Sequence, residues 1–137
     1  MTETEKAYIA GIIDSEGSIM LQKFHKKEYP SLCVSIASTT LELLKWIKET
    51  IGKGVIVKKK NYDTKRHQNC YSYIVKRNDA IKLLEDIYPY LIIPTKKSRA
   101  QLILLKYKAV TPRNGRYSEE MLKSKIDFYN EFISIKQ

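Results

Sequence analysis

A pair of carboxylates stands at the end of one unusually small and apolar segment of the chain. Asp14 and Glu16 follow residues 7–13, which are alanine, glycine and isoleucine apart from Tyr8. Residues 3–14 are predicted to form a helix, and Gly17 is predicted to end it, because glycine often follows the last helical turn. Glu16 is therefore expected at the end of a helix, where an acid can bind a metal ion or simply face water.

One face of this helix carries small residues. Ala7 and Gly11 are four positions apart and therefore share a face, with Ala10 beside them. A face of this kind allows a second helix to approach closely. We expect this contact to include Ala7, Ala10, Gly11 and Asp14. Packing within the protein's own core is the alternative for the same residues.

If the second helix belongs to another copy of the chain, two Glu16 carboxylates meet beside a two-fold axis. Neighbouring carboxylates repel each other, and hard divalent cations, which prefer oxygen ligands, would relieve that repulsion. Such an arrangement suits metal-assisted hydrolysis of a phosphodiester. Asp14 is expected to be a structural hydrogen-bond acceptor at the helix end rather than a ligand.

The charge balance of the 137-residue chain favours a polyanionic partner. Its 25 Lys and Arg outnumber 15 Asp and Glu, which leaves a net charge of +10. Nucleic acid is the first candidate, because no strongly amphipathic basic helix recommends a membrane surface. Cys33 and Cys70 belong to no CxxC pair, which argues against a disulfide scaffold or a zinc site. We expect one soluble, intracellular domain spanning residues 1–137.

Hydrophobic periodicity predicts an α+β domain in which a helix followed by two strands occurs twice. Strands are predicted at 18–26, 31–38, 55–60 and 71–76. Helices are predicted at 3–14, 41–51, 79–88, 98–110 and 118–135, the last with Leu122, Ile126, Tyr129 and Ile133 facing inward. Four antiparallel strands would then have helices on one face, and the other face would be open and polar or basic.

An open, twisted and basic sheet fits the major groove of DNA. The alternation of side chains places a set of residues on that face: Gln22, Phe24, Lys26, Ser31, Cys33, Ser35, Val57, Lys59 and Asn61. Lys65 and Arg66 are expected to contact phosphates, and ordinary solvated charges are the alternative. In strand 71–76 the alternation does not decide which face Tyr71 and Tyr73 occupy.

Residues 9–17, Ile-Ala-Gly-Ile-Ile-Asp-Ser-Glu-Gly, closely resemble the nine-residue signature of the LAGLIDADG homing endonucleases. The residues that match it outright are Ala10, Gly11, Ile13, Asp14 and Gly17. Isoleucines at 9 and 12 replace leucines, and Glu16 keeps the acid. The predicted order of elements also fits this family. The resemblance implies an αββαββα core with a saddle-like four-stranded antiparallel sheet, followed by C-terminal helices, in a single-motif chain that acts as a homodimer.

The resemblance also implies which residues form the site. Glu16 would be the main metal ligand, helped by the backbone carbonyl of Ser15 and by DNA phosphates. The catalytic lysine of the family corresponds to Lys96, four residues before Ala100, with Lys97 as its rival. Where the family often has a glutamine or asparagine at the end of the second strand, this chain has Ser38, the candidate for positioning water. The expected cofactor is Mg²⁺, or Mn²⁺, with Ca²⁺ as a non-catalytic substitute.

These expectations combine into one functional hypothesis. The chain is expected to be a site-specific homing endonuclease that makes a metal-dependent double-strand break in a long pseudo-palindromic DNA site, with short 3′ overhangs. The alternative is a non-cleaving nucleic-acid binder on the same fold, either an intron RNA maturase or a DNA-binding regulator. The presence of Glu16 and Lys96 favours cutting, since a pure binder has no use for an acid that faces phosphates. The expected location is the cytoplasm of a bacterium or phage-infected cell, or an organelle.

Overall fold

The computed structural model describes residues 1–23, 29–111 and 116–136. Its helices are α1 (Glu3–Glu16), α2 (Leu41–Ile51), α3 (Arg77–Ile87), α4 (Pro94–Lys106) and α5 (Glu119–Ser134). Its strands are β1 (Gly17–Gln22), β2 (Ser31–Ser38), β3 (Val55–Lys58) and β4 (Tyr71–Lys76). Two short 3-10 turns, Tyr88–Tyr90 and Lys108–Val110, follow α3 and α4. The predicted α+β class is confirmed.

The four strands form one antiparallel sheet in the order β1-β2-β4-β3. Val34 at its centre lies opposite Ile19 on one side and Val75 on the other, and all three are buried. Two residues away from Val75 on the same strand, Tyr73 lies opposite Ile36 and is also buried. These residues form the covered face of the sheet, because alternate side chains of a strand point to the same side. The helices pack on this face, and the core lies between the two layers.

Helix α1 passes directly into strand β1 without a linker. Thr2 and Glu5 form a reciprocal capping box at its first turn. At the other end, the amide of Gly17 donates to the carbonyl of Ile13. A Cβ atom at Gly17 would lie 2.7 Å from the Cα atom of Ile13, so only glycine fits where the helix turns into the sheet.

Helix α5 presents a different face to the core from the one predicted. Its buried residues are Lys125, Phe128 and Phe132, whereas Ile126 and Ile133 remain about half exposed. Phe128 packs near Tyr107, with ring centroids 6.1 Å apart, and the Arg99 guanidinium lies 4.7 Å from the centre of the Phe132 ring. Leu122 and Tyr129 are half-buried, but the predicted inward position of Ile126 and Ile133 is wrong, because the two phenylalanines bury more aromatic surface on the neighbouring stripe.

Helix α4 begins earlier than predicted, at Pro94 rather than Ser98. Proline suits the first turn of a helix, because a backbone N–H in that turn has no hydrogen-bond acceptor within the helix. This start places Lys96 within the first turn of α4. Among the described residues, no helix is long and apolar enough to span a membrane.

Candidate active site

Glu16 is the last residue of α1, and its side chain is exposed beside the sheet. It lies on a groove of about 460 Å³ between the end of α1 and the end of β2. The residues that line this groove are Ile12, Glu16, Ile36, Ala37, Ser38, Thr39, Leu43 and Cys70. The structure therefore brings Glu16 and Ser38 to one groove and adds Cys70, which the sequence interpretation had left out.

Ser38 lies at the end of β2 with a half-buried side chain. Its Oγ accepts a hydrogen bond of 3.0 Å from the backbone N–H of Thr40, which fixes the hydroxyl where the chain turns into α2. A serine in this state still has its hydroxyl proton to donate. The position is compatible with orienting a small polar group in the groove.

The ammonium group of Lys96 holds the end of α1. Its Nζ atom donates to three backbone carbonyls, those of Ile13 at 2.8 Å, Asp14 at 3.1 Å and Gly17 at 2.7 Å. Burial lowers the pKa of Lys96, and the Asp14 and Glu16 carboxylates nearby act against that shift. A cation that satisfies the last carbonyls of a helix is favoured by the helix dipole.

This geometry corrects the predicted role of Lys96. The side chain is only 7% exposed, and its three N–H groups already have acceptors, so it does not face a phosphate. Lys96 instead fixes the backbone that carries Glu16. The rival, Lys97, is exposed and lies 5.9 Å from the centre of the Tyr88 ring.

The carboxylate of Asp14 ties α1 to the segment before α4. Its two oxygens accept hydrogen bonds from the backbone N–H groups of Ile92 at 2.9 Å and Ile93 at 3.2 Å. Asp14 of α1 accepts hydrogen bonds from the segment before α4, and Lys96 of α4 donates hydrogen bonds to the end of α1. The two side chains thus connect the same two parts of the chain. The end of α1 is held by side chains on both sides, which is how a scaffold fixes a reacting group.

The exposed face of α1 differs in part from the predicted one. Ala7 and Gly11 are exposed, and a Cβ atom at Gly11 would meet nothing within 4 Å. Ala10 is completely buried, together with Ile9 and Ile13. Its assignment to a contact with another molecule was wrong, because one residue turns a helix by about 100° and carries Ala10 to the core side.

The open face of the sheet follows the predicted alternation. Gln22 lies opposite Ser31, and Ser35 lies between Ser18 and Ile74 on the neighbouring strands. Val57 lies opposite Ser72 on the same face. Phe24 and Lys26 lie outside the described residues.

Cys33 is on this open face by register but is only 1% exposed. It lies on a central strand between Met20 and Lys76, whose longer side chains flank it. Burial raises the pKa of the Cys33 thiol, and the charge of Lys76 partly offsets the shift. The prediction that Cys33 contacts DNA is therefore wrong for this conformation.

The register also decides the orientation of β4, which the sequence had left open. Tyr71 and Tyr73 share the covered face with Ile36 and Ser38. Ser72, Ile74 and Lys76 consequently belong to the open face, which the sequence interpretation missed. The pairing of β4 with β2 determines which face each residue of β4 occupies, and the sequence of β4 alone does not.

Lys59 was predicted to lie within a strand of residues 55–60, and Asn61 on the open face just after it, but the strand ends at Lys58. Both residues lie in the connection to β4, with Lys59 exposed and Asn61 half-buried. The Asn61 amide makes hydrogen bonds within that connection, and its contact with DNA stays a prediction. Lys65 and Arg66 lie in the same connection and are exposed.

The acidic residues and one cluster of exposed cations lie in different parts of the structure. Among the acidic residues in the described ranges, only Asp63 lies outside a helix. Exposed cations, by contrast, cluster at the end of β3 and in the connection that follows it: Lys58, Lys59, Lys60, Lys65 and Arg66. A surface of this kind attracts a polyanion to the sheet side.

A match to a protein family agrees with three features of the structure. These are the helix–strand–strand repeat, the open sheet and Glu16 at the end of α1. The sequence model described as LAGLIDADG endonuclease matches residues 9–108. The chain belongs to the LAGLIDADG endonuclease family. Homing endonucleases of this family cut DNA, and the predicted resemblance is confirmed.

Solved structures of LAGLIDADG homing endonucleases share the fold over nearly the whole chain. I-CvuI bound to its DNA target with 2 mM Ca is 20% identical, with a TM-score of 0.76 over 98% of this chain and 83% of its own. The archaeal intron-encoded I-Vdi141I, bound to DNA, is 21% identical, with a TM-score of 0.66 over 98% and 86%. I-SmaMI, bound to uncleaved DNA with calcium, gives 19% identity and a TM-score of 0.71 over 94% of this chain and 45% of its own. No curated protein sequence matches the chain significantly.

Proposed function

We propose that this chain is a site-specific homing endonuclease that cuts both strands of a pseudo-palindromic DNA site as a homodimer, with divalent metal ions. The observation that carries the proposal is the placement of Glu16. It is exposed at the end of α1, next to the open sheet, and at one end of the exposed face that includes Ala7 and Gly11.

Gly11 supports the homodimer. Glycine in a helix costs about 1 kcal/mol relative to alanine. The chain's own packing does not require glycine there, because a Cβ atom would find open space. A second α1 that crosses at this point could approach closely because Gly11 has no side chain. The two Glu16 residues would then meet at the two-fold axis.

The donor atoms at this end of α1 suit a hard divalent cation. Glu16 offers carboxylate oxygens, and the carbonyl of Ser15 is not among the three that Lys96 binds. Within the described ranges of one chain, no three His, Cys, Asp or Glu residues cluster as a metal site. The proposed metal ligands are Glu16 from each of two chains, the Ser15 carbonyl and DNA phosphates. When bound, such ions neutralise charge on the scissile phosphate and favour deprotonation of the attacking water.

The other residues of the site have supporting roles in this proposal. Lys96 and Asp14 hold the end of α1 at a fixed distance from the sheet, which sets where Glu16 stands relative to bound DNA. Ser38 faces the same groove and orients a water molecule. Gln22, Ser31 and Ser35 contact base edges from the open face, while Lys65 and Arg66 contact phosphates.

The test is cleavage of a plasmid that carries the DNA flanking the protein's own gene, in the presence of Mg²⁺. Glu16→Gln should abolish double-strand cleavage while preserving DNA binding. Glu49→Gln, which removes an exposed acid from α2 instead, should cut like the unmodified protein. Cleavage unaffected by Glu16→Gln would overturn the proposal. Binding of the flanking DNA or its transcript without any cleavage would point to the non-cleaving regulator or RNA maturase instead.

A further inference from the structure

Strand β1 lies at the edge of the sheet, where one of its sides has no neighbouring strand. An edge strand exposes backbone N–H and carbonyl groups that no other strand binds. Alternate residues of an antiparallel strand direct these groups to the same side. Gly17 and Ile19 are two residues apart, so their carbonyls lie on one side of β1, and both accept hydrogen bonds from helix α4.

The donors are two cations one turn apart on α4. The Lys96 Nζ atom donates to the Gly17 carbonyl at 2.7 Å, and the Arg99 Nη1 atom donates to the Ile19 carbonyl at 2.8 Å. Three residues of a helix rise about 4.5 Å and two residues of a strand about 6.8 Å, a difference that a long arginine side chain spans. The two cations thus supply β1 with hydrogen bonds that a neighbouring strand would otherwise provide.

Arg99 uses its donors on backbone rather than on an acid. Among the residues that the structure describes, no carboxylate forms an ion pair with Arg99. Burial lowers the pKa of Lys96, and the charge of Arg99 adds to that shift. Two cations that lie this close repel each other, and the strand carbonyls that they bind offset that repulsion. The contact with β1 is therefore the reason for the position of the guanidinium.

The guanidinium is itself held in place by helix α5. Its Nε atom donates to the carbonyl of Ile135, the residue after the last turn of α5, at 2.8 Å. The centre of the Phe132 ring lies 4.7 Å away from it, and Phe132 is buried in the core. A planar group between a ring and two carbonyls has little freedom to rotate. Arg99 therefore connects β1 to the core and to the end of α5.

Tyr107 gives strand β2 a similar connection to α4. Its hydroxyl oxygen accepts a hydrogen bond of 3.3 Å from the buried N–H of Leu32. Strand β4 ends at Lys76, opposite Cys33, and so has no residue opposite Leu32. Tyr107 is buried beside Phe128. Side chains of α4 thus hold β1 along its free edge and β2 beyond the end of its neighbour.

We propose that Arg99 is a positioning residue for sequence recognition, which fixes the open face of β1 relative to Glu16, and that Tyr107 supports it from β2. This role rests on the function proposed above. Base contacts require side chains placed to within about 0.5 Å, whereas phosphate contacts carry no sequence information. A loosened β1 should therefore lose its preference for one sequence and keep its non-specific affinity for DNA.

The test compares the affinity for the duplex that flanks the protein's own gene with the affinity for a duplex of mixed sequence. Arg99→Met removes the donors and should lower the ratio of the two affinities by about ten-fold or more, which corresponds to one lost base contact. The affinity for the mixed duplex should change by less than about two-fold, because that binding depends on phosphate contacts. Arg99→Lys, which still donates to a carbonyl, should restore part of the ratio.

Lys106→Met is the matched control. It removes a cation from the same helix, where Lys106 pairs with Glu131 of α5 at 3.0 Å, and should leave the ratio unchanged. Tyr107→Phe keeps the ring and removes only the hydroxyl, so it tests the same idea with a smaller risk to folding. It should lower the ratio about three-fold. An unchanged ratio in both Arg99→Met and Tyr107→Phe, or an equal loss of both affinities, would overturn the proposal.

Hydrogen exchange of the free protein tests the geometry without DNA. The amides of Ser18 and Met20, which face β2 if those of Gly17 and Ile19 face outward, should exchange about ten-fold faster or more in Arg99→Met. Amides of β3, at the other edge of the sheet, should be unaffected. Unchanged exchange in β1 would contradict the role of Arg99.

The unmodified protein separates this proposal from the nuclease. If it prefers the flanking duplex but never cuts it, the nuclease is refuted, and the role of Arg99 in recognition stands if the ratio still depends on Arg99. If it shows no preference between the two duplexes, both proposals are refuted.

Discussion

Replacing Gly11 by leucine tests the proposed pairing of two α1 helices. In a single chain the substitution is harmless, because a Cβ atom there meets nothing within 4 Å and leucine is the better helix former by up to about 1 kcal/mol. The isolated domain should therefore unfold at a slightly higher urea concentration, by about 0.5 M for a slope of about 2 kcal/mol per M.

In a two-fold seam the same substitution has the opposite effect. Each copy would place a leucine where the close contact needs a small residue, and overpacking costs about 1–3 kcal/mol per site. Symmetry doubles this to about 2–6 kcal/mol, which raises the dissociation constant of the dimer at least about 30-fold. Gly11→Leu should thus separate the stability of the chain from its association.

The assay is sedimentation velocity over a dilution series, alone and with DNA, beside urea unfolding of the same samples. Ser124→Leu, which adds a leucine to an exposed position of α5, is the control and should associate like the unmodified protein. A Gly11→Leu protein with an unchanged dissociation constant would refute the seam. So would an unmodified protein that stays monomeric on DNA.

Three other perturbations follow from buried groups. Burial lowers the pKa of Lys125 from 10.5 to about 8, so between these values the unfolded chain holds more protons than the folded one and stability rises with pH. The free energy of unfolding of the unmodified protein should therefore rise by about 3 kcal/mol relative to that of Lys125→Met between pH 8 and pH 10.5, measured by urea unfolding. Lys96→Met leaves three carbonyls without their donor and should destabilise the chain by at least about 3 kcal/mol, while Lys97→Met should change stability by less than about 0.5 kcal/mol. Cys70 should react with a thiol reagent well before Cys33, because Cys33 is buried and its pKa is raised.

Each of these expectations has an outcome that contradicts it. A constant difference between Lys125→Met and the unmodified protein across that pH range would mean that Lys125 is hydrated in the folded state. Equal stability of Lys96→Met and Lys97→Met would mean that Lys96 does not hold the end of α1. Simultaneous labelling of both thiols would mean that the sheet opens at Cys33 faster than the reagent reacts.

The motif at residues 9–17 contains most of what the sequence reveals about the fold. Small residues, an acid and a terminal glycine in one register predicted the family, and hydrophobic periodicity separately predicted the order of helices and strands. The open face of β1 and β2 followed from simple alternation, because a strand has only two faces. The orientation of β4 did not follow, since it depends on which residue of β2 lies opposite Tyr73.

The errors have one physical origin, which is that side-chain contacts between distant segments are not local in sequence. Lys96 resembles a surface lysine in the sequence, but its ammonium group donates hydrogen bonds to the carbonyls of Ile13, Asp14 and Gly17, about eighty residues away. Helix α5 offers two apolar stripes of similar quality, and only Tyr107 and Arg99 decide between them. Burial of Lys125 contradicts the usual exposure of lysine and could not be expected from composition.

The absence of a linker between α1 and β1 fixes the distance between Glu16 and the first strand. With Gly17 packed against Ile13, Glu16 and β1 cannot move independently, so under the proposed function the distance from the cut to the recognised bases is built into the backbone. Exchanging side chains such as Gln22 should change which sequence is recognised and leave the cleavage position where it was. An engineer who wants a different cut position would have to rebuild this junction, and no choice of surface residues would substitute for that.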